Sequence, residues 1–183
     1  MRPPVPLGLV PRHRLSARGA FGRAALGLLA AGLVLAAGGV PAMAQTRTDR
    51  TVLMTPHPEG RRTQDEWGFA DAVIAGDTIY LSGIVAVLPP GETDLEAAYD
   101  RVYQRIGRIL QRAGAGWGDV VDITTYHTDV SAQMPAIVAV QRRYVGTPPP
   151  AWTAIDVDRL IPEHGITEIK IVARRPEAAR GAH

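Results

Sequence analysis

Cysteine is absent from all 183 residues of the chain. Its absence excludes disulfide bonds, thiol nucleophiles and metal sites built from thiolates. The chain also lacks a basic stripe interleaved with aromatic residues, so the sequence gives little support for nucleic-acid binding. The fold must therefore be held together by packing within the chain or by assembly of subunits.

The first 44 residues contain no acidic residue and five arginines, followed by an apolar run over residues 24–40. Small residues stand just beyond that run, at Ala42 and Ala44. This order is typical of a secretory signal peptide with cleavage after Ala44. The alternative is an uncleaved membrane anchor, for which the run is short. We expect a periplasmic or secreted protein that has no stable membrane association once the signal is removed.

The basic character of the chain lies in this leader. Residues 45–183 keep 15 Lys and Arg against 18 Asp and Glu, a formal net charge of −3. Their number suits one domain with one core. We interpret 45–65 as a flexible lead-in that includes either an edge strand near 51–55 or no regular element, with a turn at 57–60. We interpret 66–174 as the domain and 175–183 as a disordered tail.

Periodicity predicts the elements of the first half of the domain. Two β-rich runs between Phe69 and Gly83 predict a hairpin. An apolar loop is expected from Ile84 to Gly91. Apolar residues at helical spacing then predict a helix that starts at Thr93 or Asp94 and ends at Gly114. Its arginines are interpreted as a solvated face.

The second half predicts two further strands around one helix. A β-branched run predicts a strand at 120–130, and Ser131 is expected to cap a helix that extends to Tyr144. Strands are expected after Pro150 and at 166–173. The order predicts an α+β domain with two helices on one face of a mixed sheet. The other face of the sheet has no helix to cover it, which predicts self-association.

Several residues are candidates for a site, and each has a structural alternative. Three prolines fix the backbone before Trp152, which is either a core or interface aromatic or part of a site. Ser82-Gly83 either terminates a strand or presents a hydroxyl and a bare N–H to a carboxylate. Glu168 either pairs with Lys170 or faces a cleft. His127 is interpreted as structural, because a metal site needs more ligands than its surroundings offer.

The sequence resembles the Rid/YjgF family of reactive-intermediate deaminases over roughly residues 66–174. The segments that carry the resemblance are 75–83 (AGDTIYLSG), 114–116, 119–121, 125–129, 149–151 and 168–169. The resemblance implies a chorismate-mutase-like fold, a barrel-like homotrimer, and clefts for a small molecule between subunits. It also implies hydrolysis of 2-imino acids and enamines to 2-keto acids and ammonia without a metal or cofactor.

Two positions depart from the family pattern. The resemblance implies an arginine that holds the substrate carboxylate, but Trp152 stands at that position, and Val138 replaces an asparagine of the second helix. Arg142, Arg143 or Arg159 of a neighbouring subunit are candidates to restore the cation. Losing a charge-assisted contact to an arginine fork should weaken imino-acid hydrolysis tenfold or more, by about 1.5–3 kcal/mol.

The other site residues match the family. Glu168 matches its acidic residue, the candidate general base or water holder, and Tyr80, Ser82 and Gly83 match the opposite wall of the cleft. We expect an exported hydrolase or deaminase-like protein that acts on an imine, enamine or related small carbonyl derivative. The alternatives are a non-catalytic metabolite-binding trimer and a structural protein with a relic cleft.

Overall fold

The computed structural model describes residues 47–177. The signal peptide predicted at 1–44 and the end of the predicted tail, 178–183, lie outside the described residues. The elements in chain order are β1 (Val52–Leu53), α1 (Pro58–Trp67), β2 (Ala72–Ala75), β3 (Thr78–Leu81), β4 (Ile84–Val87), α2 (Leu95–Arg112), a 3₁₀ turn (Trp117–Asp119), β5 (Val120–His127), α3 (Val130–Val145), β6 (Ala151–Asp156) and β7 (Gly165–Arg174).

The strands form one mixed sheet in the order β1-β2-β3-β7-β5-β6, and β4 also pairs with β7. All pairs are antiparallel except β5 with β6, which is parallel. The α+β fold with a mixed sheet is therefore confirmed. The core packs the buried stripe of α2, which includes Tyr99, Ile106 and Leu110, together with the inward face of the sheet.

The predicted hairpin, the first long helix and the last strand are confirmed. The Asp94 carboxylate accepts a hydrogen bond from Ala97 N at 3.0 Å and caps α2, as expected. Along β7 the side chains alternate between the two faces of the sheet, and Thr167, Ile169 and Ile171 are fully buried. The cap of α3 differs from the prediction: the Asp129 side chain, not Ser131, accepts from Ala132 N.

The edge strand near 51–55 is confirmed, but the flexible segment and the turn predicted at 57–60 are wrong, because a helix begins there. β1 joins the sheet, and α1 begins with Pro58 at its first position and ends at Gly68, whose φ of 71° is left-handed. The helix is polar, and its one buried residue is Gln64. That side chain accepts from Thr55 N at 2.8 Å and donates to Asp71 Oδ1 at 2.9 Å. Residues 47–177 therefore contain three α-helices rather than the two expected.

Two other boundaries also differ from the sequence prediction. Residues 84–87 were expected in an apolar loop but form β4, because they pair with β7 and bury Ile84 and Ala86. Arg175, assigned to the disordered tail, is buried, and its N–H donates to Asp77 O at 2.7 Å. Among residues 47–177 no helix has the length and apolar character to cross a membrane.

Candidate functional site

A cleft of about 470 Å³ opens where β3 ends and β4 begins. β7 is long enough to pair with β3 through residues 172–174 and with β4 through residues 165–169. Ser82 and Gly83 form the joint between the two shorter strands. The polar wall of the cleft consists of Ser82, Gly83, Arg105 and Glu168, and the apolar wall consists of Trp67, Phe69, Ile84, Val85, Val87, Ile161 and Pro162.

Glu168 reaches this cleft from the middle of β7, where it lies between Val85 of β4 and Tyr126 of β5. Its carboxylate packs over Gly83: a Cβ added to that glycine would lie 1.8 Å from Glu168 Oε1. Within residues 47–177 the carboxylate forms no hydrogen bond and no ion pair, so it is not paired with Lys170. It is thus a half-buried acid with its acceptor sites available to a ligand or a water.

The joint between β3 and β4 supplies a backbone donor rather than a hydroxyl donor. Ser82 Oγ donates to Ala70 O at 2.6 Å, and Ser82 N donates to Asp71 O at 3.0 Å. The Ser82 hydroxyl can therefore only accept from a ligand, which corrects the expectation that it donates to a carboxylate. Gly83 N–H makes no hydrogen bond to any residue of 47–177, and it remains a bare N–H in the wall of the cleft.

Arg105 is the cation of the cleft, and the sequence analysis missed it. Its Nη2 lies 3.7 Å from Oδ1 of Asp71, whose side chain is 5% exposed, and Arg112 Nη1 lies 2.9 Å from the other carboxylate oxygen. Arg105 and Arg112 are exposed, as the interpretation of the α2 arginines as a solvated face expects, but both also approach the buried Asp71 carboxylate. Helical spacing could have indicated that Arg105 lies beside the buried face of α2. Arg105 stands three residues after Val102 and four before Ile109, and both of these residues are buried.

Three predicted site residues lie away from this cleft in the single chain. Trp152, half-buried on β6, packs against the core and donates from Nε1 to Thr125 Oγ1 at 3.0 Å. Tyr80 is exposed on β3, and Val138 is half-buried on α3. Their roles in a site therefore stay predictions that depend on a neighbouring subunit. None of the three other candidate cations lines the cleft of the single chain: Arg142, Arg143 and Arg159.

His127 is structural, as expected. It is fully buried, with Nδ1 3.0 Å from Gln133 Oε1 and Nε2 2.9 Å from Thr125 Oγ1. Burial lowers the pKa of His127, while the hydrogen bond to Gln133 and the charge of Asp156 oppose that shift. Within residues 47–177 no group of three or more His, Asp or Glu side chains is placed to hold a metal ion.

Residues 61–175 match the family model described as Endoribonuclease L-PSP. The chain belongs to the Rid/YjgF family. The RutC family protein YjgH of Escherichia coli K12 is 33% identical over 125 residues, which are 66% of this chain and 93% of that protein. The RutC family protein PYRAB12510 of Pyrococcus abyssi is 31% identical over 109 residues, 57% of this chain and 84% of its own.

Solved structures of the family agree with the fold. A structure of protein YjgH has a TM-score of 0.59 at 28% identity and covers 73% of this chain and 99% of its own. RidA from an Antarctic Psychrobacter has a TM-score of 0.52 at 25% identity, with coverage of 71% and 98%. The resemblance seen in the sequence is therefore confirmed, and with it the YjgF-type fold.

Proposed function

We propose that the protein is a Rid-type hydrolase that acts on a small imine, enamine or related carbonyl derivative. The observation that carries this proposal is the Glu168 carboxylate, which lines the cleft, lies against Gly83 and has no hydrogen-bond or ion-pair partner among residues 47–177. Hydrolysis of an imine needs a group that takes a proton from water at the reacting carbon, and a positioned carboxylate serves that role. Membership of the Rid/YjgF family supports the same chemistry.

In the proposed reaction the substrate reacts as its iminium ion, and Glu168 accepts a proton from a water molecule as the water oxygen attacks the iminium carbon. The carbon becomes tetrahedral, with one hydroxyl and one amino group. Glu168 then returns the proton to nitrogen, the carbon–nitrogen bond breaks, and the hydroxyl proton passes to the departing ammonia as the carbonyl forms. One iminium ion and one water thus give one carbonyl compound and one ammonium ion. The bare N–H of Gly83 is available to hold an oxygen of the substrate.

We further propose that the protein is an exported homotrimer. Tyr80, Val121 and Ile155 are large apolar or aromatic side chains exposed on β3, β5 and β6, and a covering subunit would bury them. The bulge between Val120 and Asp122 of β5 turns Val121 outward. In a trimer, Trp152 and Val138 of one subunit would complete the cleft of its neighbour. Export is supported by the signal sequence predicted at 1–44.

The second candidate is a metabolite-binding trimer without turnover, and Trp152 favours it because an aromatic wall replaces the arginine implied by the family resemblance. A structural protein with a relic cleft has less support, since the Glu168 carboxylate stays unpaired within residues 47–177. RNA cleavage, which the name of the family model mentions, also has less support, because residues 45–183 carry a net charge of −3.

Ammonia release tests the proposal. The purified protein is given 2-iminobutanoate generated in situ by an amino-acid oxidase, alongside the Glu168→Gln variant. We expect the variant to lose activity by about 100-fold or more, because it removes a general base. Glu163→Gln is the matched control, since that carboxylate is 91% exposed and lies outside the cleft. Ligand binding without ammonia release in the wild type would support the binding trimer instead.

A further inference from the structure

The cleft contains a cation from an element that the family resemblance does not implicate. Arg105 projects from α2 into the same cleft as Glu168 and Gly83, although the position of the strand arginine is occupied by Trp152. Its side chain is 54% exposed. A guanidinium at this position offers several N–H donors to an anion bound beside Glu168.

Arg105 is available to a ligand because Asp71, the carboxylate that it approaches, already accepts hydrogen bonds from Gln64 and Arg112. Asp71 Oδ1 accepts from Gln64 Nε2 at 2.9 Å, and Asp71 Oδ2 accepts from Arg112 Nη1 at 2.9 Å. Arg105 approaches the same carboxylate only at 3.7 Å and forms no hydrogen bond within residues 47–177. Turning the Arg105 guanidinium towards a ligand therefore leaves the buried Asp71 paired. Asp71 holds Arg105 near the cleft without occupying its donors.

The lining of the cleft also includes large apolar side chains. Trp67 at the end of α1 is 60% exposed and Ile161 in the loop before β7 is 75% exposed, with Phe69 beside them. Exposed side chains of this size gain from burial against an apolar group of a ligand. A ligand of only a few atoms would leave these side chains in water. The cleft thus combines a cation, a carboxylate and large apolar side chains within about 470 Å³.

From this arrangement we infer that the cleft takes an anionic substrate with a bulky apolar side chain, and that Arg105 holds the anion. This inference rests on the proposed function, because it names the substrate class of the same site. Arg105 thus binds the anionic group of the substrate and takes no part in the chemical step. Glu168 acts on the reacting carbon, and Trp67, Phe69 and Ile161 cover the side chain.

The first test measures binding by calorimetry with phenylpyruvate, phenylpyruvate methyl ester and pyruvate. We expect phenylpyruvate to bind about tenfold or more tightly than either of the other two, since the ester lacks the charge and pyruvate lacks the ring. Arg105→Gln should weaken phenylpyruvate binding about tenfold and leave the ester unchanged, and Arg105→Lys should keep part of the affinity. Arg108→Gln is the matched control, because Arg108 is on the same helix and lines the neighbouring groove, which Arg105 shares, but does not line the cleft.

Equal effects of Arg105→Gln and Arg108→Gln on phenylpyruvate would overturn the inference, and so would ester binding as tight as that of the acid. Circular dichroism of each variant shows whether the fold is retained. Ammonia release is measured in parallel on imines derived from phenylalanine and alanine. Hydrolysis that needs Glu168 but not Arg105 would overturn this inference alone. Arg105-dependent binding without any hydrolysis would overturn the proposed hydrolase and leave the anion site standing.

Discussion

The Glu168 carboxylate rests on the bare Cα of Gly83, so closely that a methyl group on that carbon would overlap Oε1 at 1.8 Å and Cδ at 2.6 Å. The joint between β3 and β4 therefore sets where the acid lies. Glycine is required at position 83 because a side chain would overlap Glu168. It is not required by the backbone conformation, since its φ is not in the left-handed region. A side chain at this position would have to displace the acid.

Gly83→Ala should consequently lower activity without unfolding the protein. We expect kcat to fall about tenfold to 100-fold, because the carboxylate must move by more than an ångström from its position at the cleft. The thermal midpoint should change little, since the overlapping atoms belong to the end of a flexible side chain. Steady-state kinetics and thermal melts measure both quantities. Gly118→Ala is the control, because a Cβ there meets open space; equal kcat for the two variants would contradict the expectation.

Asp71 anchors two arginines of α2 to the start of the hairpin. Asp71→Asn should lower the free energy of unfolding by about 1.5–3 kcal/mol, because the hydrogen bond from Arg112 to a buried carboxylate loses its charge. Urea denaturation provides the measurement. Asp65→Asn is the control, since its ion pair with Arg61 is exposed and should contribute about 0.5 kcal/mol or less. A loss for Asp71→Asn no larger than this control would show that the anchor is dispensable.

His127 should make stability depend on pH in the acid range. Burial lowers the pKa of His127 below its ordinary 6.5, so the unfolded chain binds the proton more readily than the folded chain. The stability that neutral His127 contributes is therefore complete above pH 6.5 and is lost as pH falls towards the lower pKa of the folded state. Urea denaturation between about pH 5 and pH 7.5 measures this slope.

The slope should flatten in His127→Gln, even if that variant is less stable at every pH. His164→Gln should keep the wild-type slope, because the His164 side chain is 46% exposed. An unchanged slope in His127→Gln would assign the pH dependence to other groups.

Trp152→Arg restores the arginine that the family resemblance implies. If neighbouring subunits bring Trp152 to the cleft as proposed, the variant should hydrolyse 2-iminobutanoate with a KM about tenfold or more below that of the wild type, through a second charge-assisted contact. Its stability should drop modestly, since the hydrogen bond from Trp152 to Thr125 is lost. Trp152→Gln is the control that removes the ring without adding charge. Equal KM values for the two variants would place Trp152 outside the site.

Hydrophobic patterning was sufficient for the elements whose buried residues are apolar. The two strands of the hairpin, α2 and β7 follow from alternation or helical spacing, because Ile79, Leu81, Ile106 and Ile169 each occupy the predicted buried face. α1 could not be predicted in this way, since its one buried residue is polar and its environment is made by Thr55 and Asp71. β4 was missed because a four-residue apolar run looks the same in a loop and in a strand.

The residues of the candidate site also divide into those that could be predicted from the sequence and those that could not. Glu168, Ser82 and Gly83 could be predicted to line one cleft, because the family resemblance implies a site residue at each of these positions, and the structure brings all three to the same cleft. Arg105 could not, since its position depends on an ion pair with Asp71, a residue distant in sequence. The donor role expected for the Ser82 hydroxyl failed for a similar reason: its acceptor, Ala70 O, is fixed only when the hairpin closes.

The joint at Ser82-Gly83 also limits which insertions and deletions the sequence can accept between β3 and β4. β3 and β4 share one side of β7, so a single residue inserted at the joint would slide β4 by one position against its partner. Ile84 and Ala86 would then turn out of the core, and Val85 and Val87 would turn inward. Side chains around the cleft can be exchanged one at a time, but the number of residues at this joint cannot change without rebuilding core and cleft together.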